Sequence, residues 1–496
     1  VSLYLGRWAG AVAAAALTLA GAQAQTADPD LRGAQVSPAA PAEGPADALP
    51  ELPSADMPNA AAAPPPATGK SAPKRKKGAL PPLQPYPRAA RAALRGGQDL
   101  GDATPAPTVA ALPPPPPRRT IKREDNPFDP VGLYVGDLKL TPYIEEDVGY
   151  ASNPFGAPSA AKGSALSTTE VGVGLQSNWS RNELTGQAKV GYNAYFETPG
   201  ASAPYGSGVV DYRLDASHDL SFDVEGRYNV ATQTNAQLGL GGVQTQSLTL
   251  VSTYGATLGG AYTFGRFTLG LHGSLDRTQY DGGSLATDDY DDYGLKLRAS
   301  YRLSEAIQPF VEAGADARRY DTDVDATGYD RQSTGETGKA GLRVSLSEVL
   351  TGEVSGGYGE RQYRDARLPD ASAPLFDASL IWSATPLTTV TLKTATQLQD
   401  AVIAGASANV NRGYTINLDH ALTQRIKLGV SGGFSTDDYV GTGQRDHSWT
   451  IGASAEYHLS REIVLKASAT HQQFVSNLPG ANYSSDTVLL GLRLQR

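Results

Sequence analysis

The chain has 496 residues with no cysteine and one methionine, so neither disulfides nor thiolate metal sites hold it together, and its scaffold must rest on hydrogen bonding. A formal net charge of −9 excludes a general nucleic-acid binder, which would carry a basic stripe or patch. Beyond the N-terminal segment no stretch reaches the ~20 apolar residues that a spanning helix needs, so any membrane crossing must use strands.

Residues 1–24 have the layout of a secretory signal peptide. Arg7 supplies the positive start, Trp8 to Ala20 the apolar stretch, and Ala22-Gln23-Ala24 the small-residue pattern that predicts cleavage before Gln25. Residues 25–137 are rich in proline and alanine, with Pro64-Pro65-Pro66 and Pro113 to Pro117. Such a segment cannot bury enough apolar surface to offset its ordering entropy, which predicts a disordered periplasmic linker. Its one dense basic cluster, Lys74-Arg75-Lys76-Lys77, is read either as an electrostatic tie to peptidoglycan or as a solvated charge run.

From residue 138 to 496 the pattern changes to strict alternation, which puts one set of side chains on each face of a sheet. Between Tyr293 and Leu303 the odd positions are Tyr293, Leu295, Leu297, Ala299, Tyr301 and Leu303, while Lys296, Arg298, Ser300 and Arg302 fill even ones. The same alternation runs through 184–196, 222–230, 267–275, 463–469 and 488–494. Short turns occur near 180–182, 217–219, 264–266, 304–305, 347–348, 384–386, 423–425 and 460–461, and long polar loops fall between them. Several of the short turns share one wording, as in Tyr301-Arg-Leu-Ser-Glu-Ala-Ile307 and Tyr457-His-Leu-Ser-Arg-Glu-Ile463.

Alternating short turns and long loops are the rhythm of an outer-membrane barrel. The reading is an all-β chain: a single antiparallel up-and-down transmembrane β-barrel of about 18 strands, with 16 as the alternative if one hairpin is misread. An even strand count returns both ends of the barrel to one side, so the tail and the C-terminus are expected in the periplasm. Aromatic girdles are expected from Trp179, Tyr262, Phe264, Tyr301, Trp382 and Tyr457 beside short turns. Tyr150, Phe196, Tyr228, Tyr320, Tyr358, Tyr363 and Phe474 should form the girdle beside long loops.

The first long strand reads Pro142-Tyr-Ile-Glu-Glu-Asp-Val-Gly-Tyr-Ala-Ser-Asn-Pro-Phe155. This opening, together with the closing strand Thr487-Val-Leu-Leu-Gly-Leu-Arg-Leu-Gln-Arg496, resembles the putative β-barrel porin 2 family of proteobacterial outer-membrane proteins over about 140–496. The resemblance implies an outer-membrane barrel, often encoded near surface-polysaccharide export genes, with no catalytic residues to carry over. One departure is the end of the chain: Gln495-Arg496 stands where many such barrels place an aromatic residue for the assembly machinery.

Alternation assigns the lumen-facing candidates Lys189, Arg213, Arg227, Lys296, Arg298, Arg302, Glu312, Asp316, Arg343, Lys393, Lys427, Lys466 and Arg493. Charges of both signs on that wall favour passage of polar or anionic solutes. An enzyme reading would need Asp437, Asp438, Asp446 and His447 to converge at one loop rim, and no phosphate loop or HExxH pattern accompanies them. No catalytic, metal or cofactor residues are assigned. The expected function is a porin-like channel for polar or anionic solutes or surface polysaccharide. The alternative is a structural barrel whose tail links the outer membrane to the cell wall. Expected partners are outer-membrane lipid, lipopolysaccharide and the assembly machinery, with peptidoglycan through the tail and no nucleic acid.

Overall fold

The computed structural model describes residues 127–496 except 235–236, 241–247, 282–286 and 347–348. The segment expected to be a signal peptide and the basic cluster Lys74 to Lys77 lie outside the described residues. A short strand β1 (Leu133–Val135) precedes β2 (Leu138–Ala151), β3 (Ser164–Ser177), β4 (Glu183–Tyr195), β5 (Ala203–Asp215), β6 (Leu220–Thr234) and β7 (Leu248–Phe264). Then come β8 (Phe267–Asp281), β9 (Tyr290–Tyr301), β10 (Ile307–Tyr320), β11 (Ser333–Leu346), β12 (Leu350–Tyr363) and β13 (Ala371–Thr385). The remainder are β14 (Thr388–Asp400), β15 (Ala408–Ala421), β16 (Ile426–Tyr439), β17 (Arg445–His458), β18 (Ile463–Ser476) and β19 (Tyr483–Gln495).

Each strand from β2 onward pairs antiparallel with its neighbour in the chain, and β19 returns to β2 from Gln495↔Tyr143 to Thr487↔Ala151. Eighteen strands therefore close into one barrel without an edge, as the sequence pattern predicts. β1 is the addition. Pairing with β19 stops at Tyr143, which leaves the start of β2 with a free margin, and β1 covers it through Leu133↔Leu140 and Val135↔Leu138. The eighteen barrel strands run from 12 residues in β9 to 17 in β7, longer than the ~9 to 11 needed to cross lipid.

The short turns explain their shared wording. Ser304 Oγ accepts the amides of Ala306 (3.3 Å) and Ile307 (3.1 Å), and Ser460 Oγ accepts those of Glu462 (3.2 Å) and Ile463 (3.1 Å). Ser217 does the same for Leu220 and Thr423 for Ile426, so a hydroxyl supplies the acceptor that the reversing backbone lacks. Between Phe264 and Phe267 the turn has only two residues, and Gly265 takes φ +63° at the first of them, where a side chain would be strained.

Which face is inside follows from reach. Arg298 on β9 bonds Glu353 on β12, and Tyr320 on β10 bonds Asp400 on β14, across intervening strands, which only a concave surface allows. The opposite face carries exposed Leu295, Leu297, Leu490 and Leu492. Two girdles follow on it. Trp179, Tyr262, Phe264, Tyr301, Trp382 and Tyr457 stand at the short-turn end, and Tyr150, Phe196, Tyr228 and Tyr358 at the other. The girdle expectation fails for Tyr320, Tyr363 and Phe474: they occupy inward positions, and Tyr320 and Phe474 are buried there. Tyr254, Tyr414 and Phe434 take their place outside, because proximity to a loop does not decide a side chain's face, whereas its phase along the strand does.

Candidate functional site

Twelve of the thirteen lumen candidates alternate with the outward apolar residues of their strands and so stand on the inner wall: Lys189, Arg213, Arg227, Lys296, Arg298, Glu312, Asp316, Arg343, Lys393, Lys427, Lys466 and Arg493. Arg302 does not. It follows the end of β9, exposed at the short-turn end, with its amide on the Arg266 carbonyl (2.7 Å).

Most of these charges are matched. At the closing seam Glu145 of β2, 3 % exposed, accepts from both Lys466 of β18 and Arg493 of β19, and the Arg493 guanidinium lies 4.6 Å over the Tyr143 ring. Glu170 accepts Tyr143 Oη (2.7 Å) and Tyr205 Oη (3.0 Å), with Lys189 Nζ at 3.7 Å. Arg227 of β6 bonds Glu225 (2.9 Å), Thr257 (2.7 Å) of β7 and Asp276 of β8. Arg298 makes two parallel bonds to Glu353 (2.9 and 2.7 Å), has Glu312 at 3.7 Å, and stacks 3.5 Å over Phe310. Lys339 pairs with Asp377 across two strands (2.5 Å).

Four bases are left over. Among the described residues Lys296, Arg343, Lys393 and Lys427 have no carboxylate within 4.0 Å, and Lys393 is exposed to the lumen beside Thr415 and Asn417. Alternation found these positions. It could not separate matched from unmatched charges, because partners two or three strands apart are not neighbours in any sequence pattern.

At the long-loop end, connections fold over the opening. Leu238, Leu240, Val402, Ile403, Ala406 and Tyr439 form small buried clusters there. The loop 321–332 is fastened by Arg331, whose side chain is 1 % exposed. It donates Nη2 to the Ile403 carbonyl (2.9 Å), Nη1 to the Ala406 carbonyl (2.8 Å) and Nε to Asp325. Burial works against the Asp325 charge, but the Tyr329 amide, Arg331 and Thr327 together hold its carboxyl below the ordinary range. Asp288 is the opposite case: burial first, then the nearby charge of Asp400, pushes it up to about 7. Beneath this cover Arg318 bonds Asp292 (3.2 Å) and lies 4.7 Å over Tyr290, while Arg361 bonds Asp316 and Ser333 (3.0 Å).

The four residues of the enzyme reading do not meet. Asp437 faces inward and is held by Asn409 and Asn411 (2.7 Å each), and Asp446 faces inward opposite it. Asp438 and His447, one residue along each strand, face outward.

No curated protein matches the chain in sequence. Solved structures similar in shape include the outer-membrane protein OpdK from Pseudomonas aeruginosa, at 11 % identity and TM-score 0.37, covering 72 % of this chain and 99 % of that one. OccK9 (OpdG) from the same organism gives 12 %, TM-score 0.39, and 73 and 99 % coverage. A BenF-like porin from Pseudomonas fluorescens Pf-5 gives 10 %, TM-score 0.39, and the same 73 and 99 %. A sequence model of the putative β-barrel porin 2 family matches residues 126–496. Closed barrel, girdled outer face and family match agree, and the chain belongs to the putative β-barrel porin 2 family of outer-membrane β-barrels.

Proposed function

We propose that the barrel is a diffusion channel favouring anionic and polar solutes, acidic polysaccharide included. Its short turns and both barrel ends would face the periplasm and its long loops the exterior. The observation that carries this reading is the set of inner-wall bases with no ion-pair partner among the described residues: Lys296, Arg343, Lys393 and Lys427. An 18-stranded barrel is wide enough to leave an aqueous lumen unless loops fill it, and unpaired charge on a low-dielectric wall biases which ions enter.

Reversal potentials across a planar bilayer under a potassium chloride gradient test the reading directly. The expected result is a stable open conductance with chloride preferred over potassium. A closed barrel, or one with no ion preference, would overturn it. Orientation is read separately, by protease cleavage of the long loops on intact cells.

A further inference from the structure

The outward face of β14–β17 contains a gap in its apolar cover. One register row runs Leu392, Ile416, Gly432 and Ile451, and Gly432 leaves an empty place between two isoleucines. The result is an apolar groove of about 520 Å³, within the ~300 to 1,000 Å³ of ligand pockets. A Cβ added at Gly432 would touch only Ile416 Cγ2, at 3.1 Å, so backbone does not fill the space.

The next row toward the long loops is aromatic: Tyr414, Phe434 and Trp449, the first two stacked at 6.1 Å. Beyond it the face becomes basic. Arg412 Nη1 donates to Asp438, and Arg445 Nε lies 3.6 Å from the same carboxylate while its side chain remains 72 % exposed. His447 lies against Phe434, with ring centroids 6.4 Å apart. Two guanidiniums thus share one carboxylate and keep a net positive charge above an aromatic band and an apolar slot.

That vertical order is the order of an amphiphile: hydrocarbon below, anionic oxygen above. Guanidinium pairs suit phosphate because their planar donors match its oxygens. We propose that the groove seats an acyl chain of a phosphorylated outer-leaflet glycolipid of the lipopolysaccharide type, with a phosphate held by Arg412 and Arg445. The choice of a glycolipid over a phospholipid rests on the orientation proposed above, with the long loops outside.

Native mass spectrometry of the purified full chain, offered diphosphorylated lipid A and phosphatidylglycerol in turn, tests the assignment. Lipid A should be retained over phosphatidylglycerol. Retention should fall by about ten-fold in Arg412→Gln/Arg445→Gln, a ratio that is ~1.4 kcal/mol of binding, and again in Gly432→Leu, which fills the slot. Conductance of both variants should match the parent, which separates this proposal from the channel reading. Unchanged lipid A retention in both folded variants, or preference for phosphatidylglycerol, would overturn it. So would a disulfide-linked dimer formed by Ile416→Cys in this cysteine-free chain, since a second copy would then cover the groove.

Discussion

Glu145 and Arg493 face each other in register on β2 and β19, the first and last strands of the closed barrel, and their side chains are bonded on the inner wall. Lys466 donates to the other oxygen of the same carboxylate, so one buried acid binds three consecutive strands at the seam. Removing one partner of a buried pair leaves the rest uncompensated, at about 3–5 kcal/mol. Glu145→Ala is therefore expected to lower the urea midpoint of the detergent-solubilised barrel with little change in slope. Glu145→Gln, which keeps the shape and loses the charge, should recover only part of the loss.

Selectivity is expected to follow the unmatched bases. Replacing Lys393 by Gln removes a unit charge with no local carboxylate, and an uncompensated charge at contact distance in water is worth about 1 kcal/mol. The chloride to potassium permeability ratio should drop several-fold. Removing a matched pair together, as Arg298→Gln/Glu353→Gln, should move it less, because those two charges already offset each other. Equal shifts in the two variants would mean that pairing does not set the lumen's field.

Arg331 fastens the loop cover through two backbone carbonyls and Asp325. Arg331→Ala strips all three contacts and leaves a buried carboxylate unpaired, again about 3–5 kcal/mol taken from the packed arrangement. Proteolysis within 321–332 and 401–407 should become faster while the rest of the barrel resists, and conductance should rise. A Lys at this position keeps the charge but not the forked donors, so partial protection is expected.

The same cover should respond to pH through Asp288. Its proton is held more tightly in the packed arrangement than in an open one, since burial first and then the charges of Asp400, Asp325 and Asp289 raise the carboxyl from 3.8 to about 7, against the opposing pull of Arg331. The packed form is therefore most favoured in acid. It loses ground as pH climbs from about 4 toward 7, by a few kcal/mol in all, and changes no further above that. Amide exchange of the described loop residues should accelerate across that window, and Asp288→Asn should abolish the dependence.

Much of this was legible in the chain. Period-two alternation from Tyr293 to Tyr301 predicted a strand with both faces in the right phase, and the Leu-Ser-charged wording marked the turns because the serine hydroxyl caps the reversing amides. What alternation could not give was contact at a distance. Arg298 and Glu353 are 55 residues apart and meet only because the sheet curves, and Arg331 finds carbonyls more than 70 residues away. Tyr320 looked like a girdle residue for the same reason. Its place beside a loop was visible, whereas the carboxylate of Asp400 that receives its hydroxyl was not.

Glu146 presents the sharpest conflict between local pattern and environment. It occupies an outward position of β2 between Ile144 and Val148 and opposite Leu492 of β19, all three apolar and exposed. Ser167 Oγ (2.5 Å) and Thr169 Oγ1 (2.6 Å) donate to its two oxygens, which softens but does not remove the cost of a carboxylate facing hydrocarbon. Lipid-facing acids cost less than the ~2–4 kcal/mol of a midplane base. Glu146→Gln keeps an acceptor for the hydroxyls and drops the charge, so it should stabilise the barrel by about 1–2 kcal/mol, read as a higher urea midpoint in liposomes at unchanged slope. A lower midpoint in membranes, with no such loss in detergent, would mean that Glu146 has a cationic partner in the bilayer.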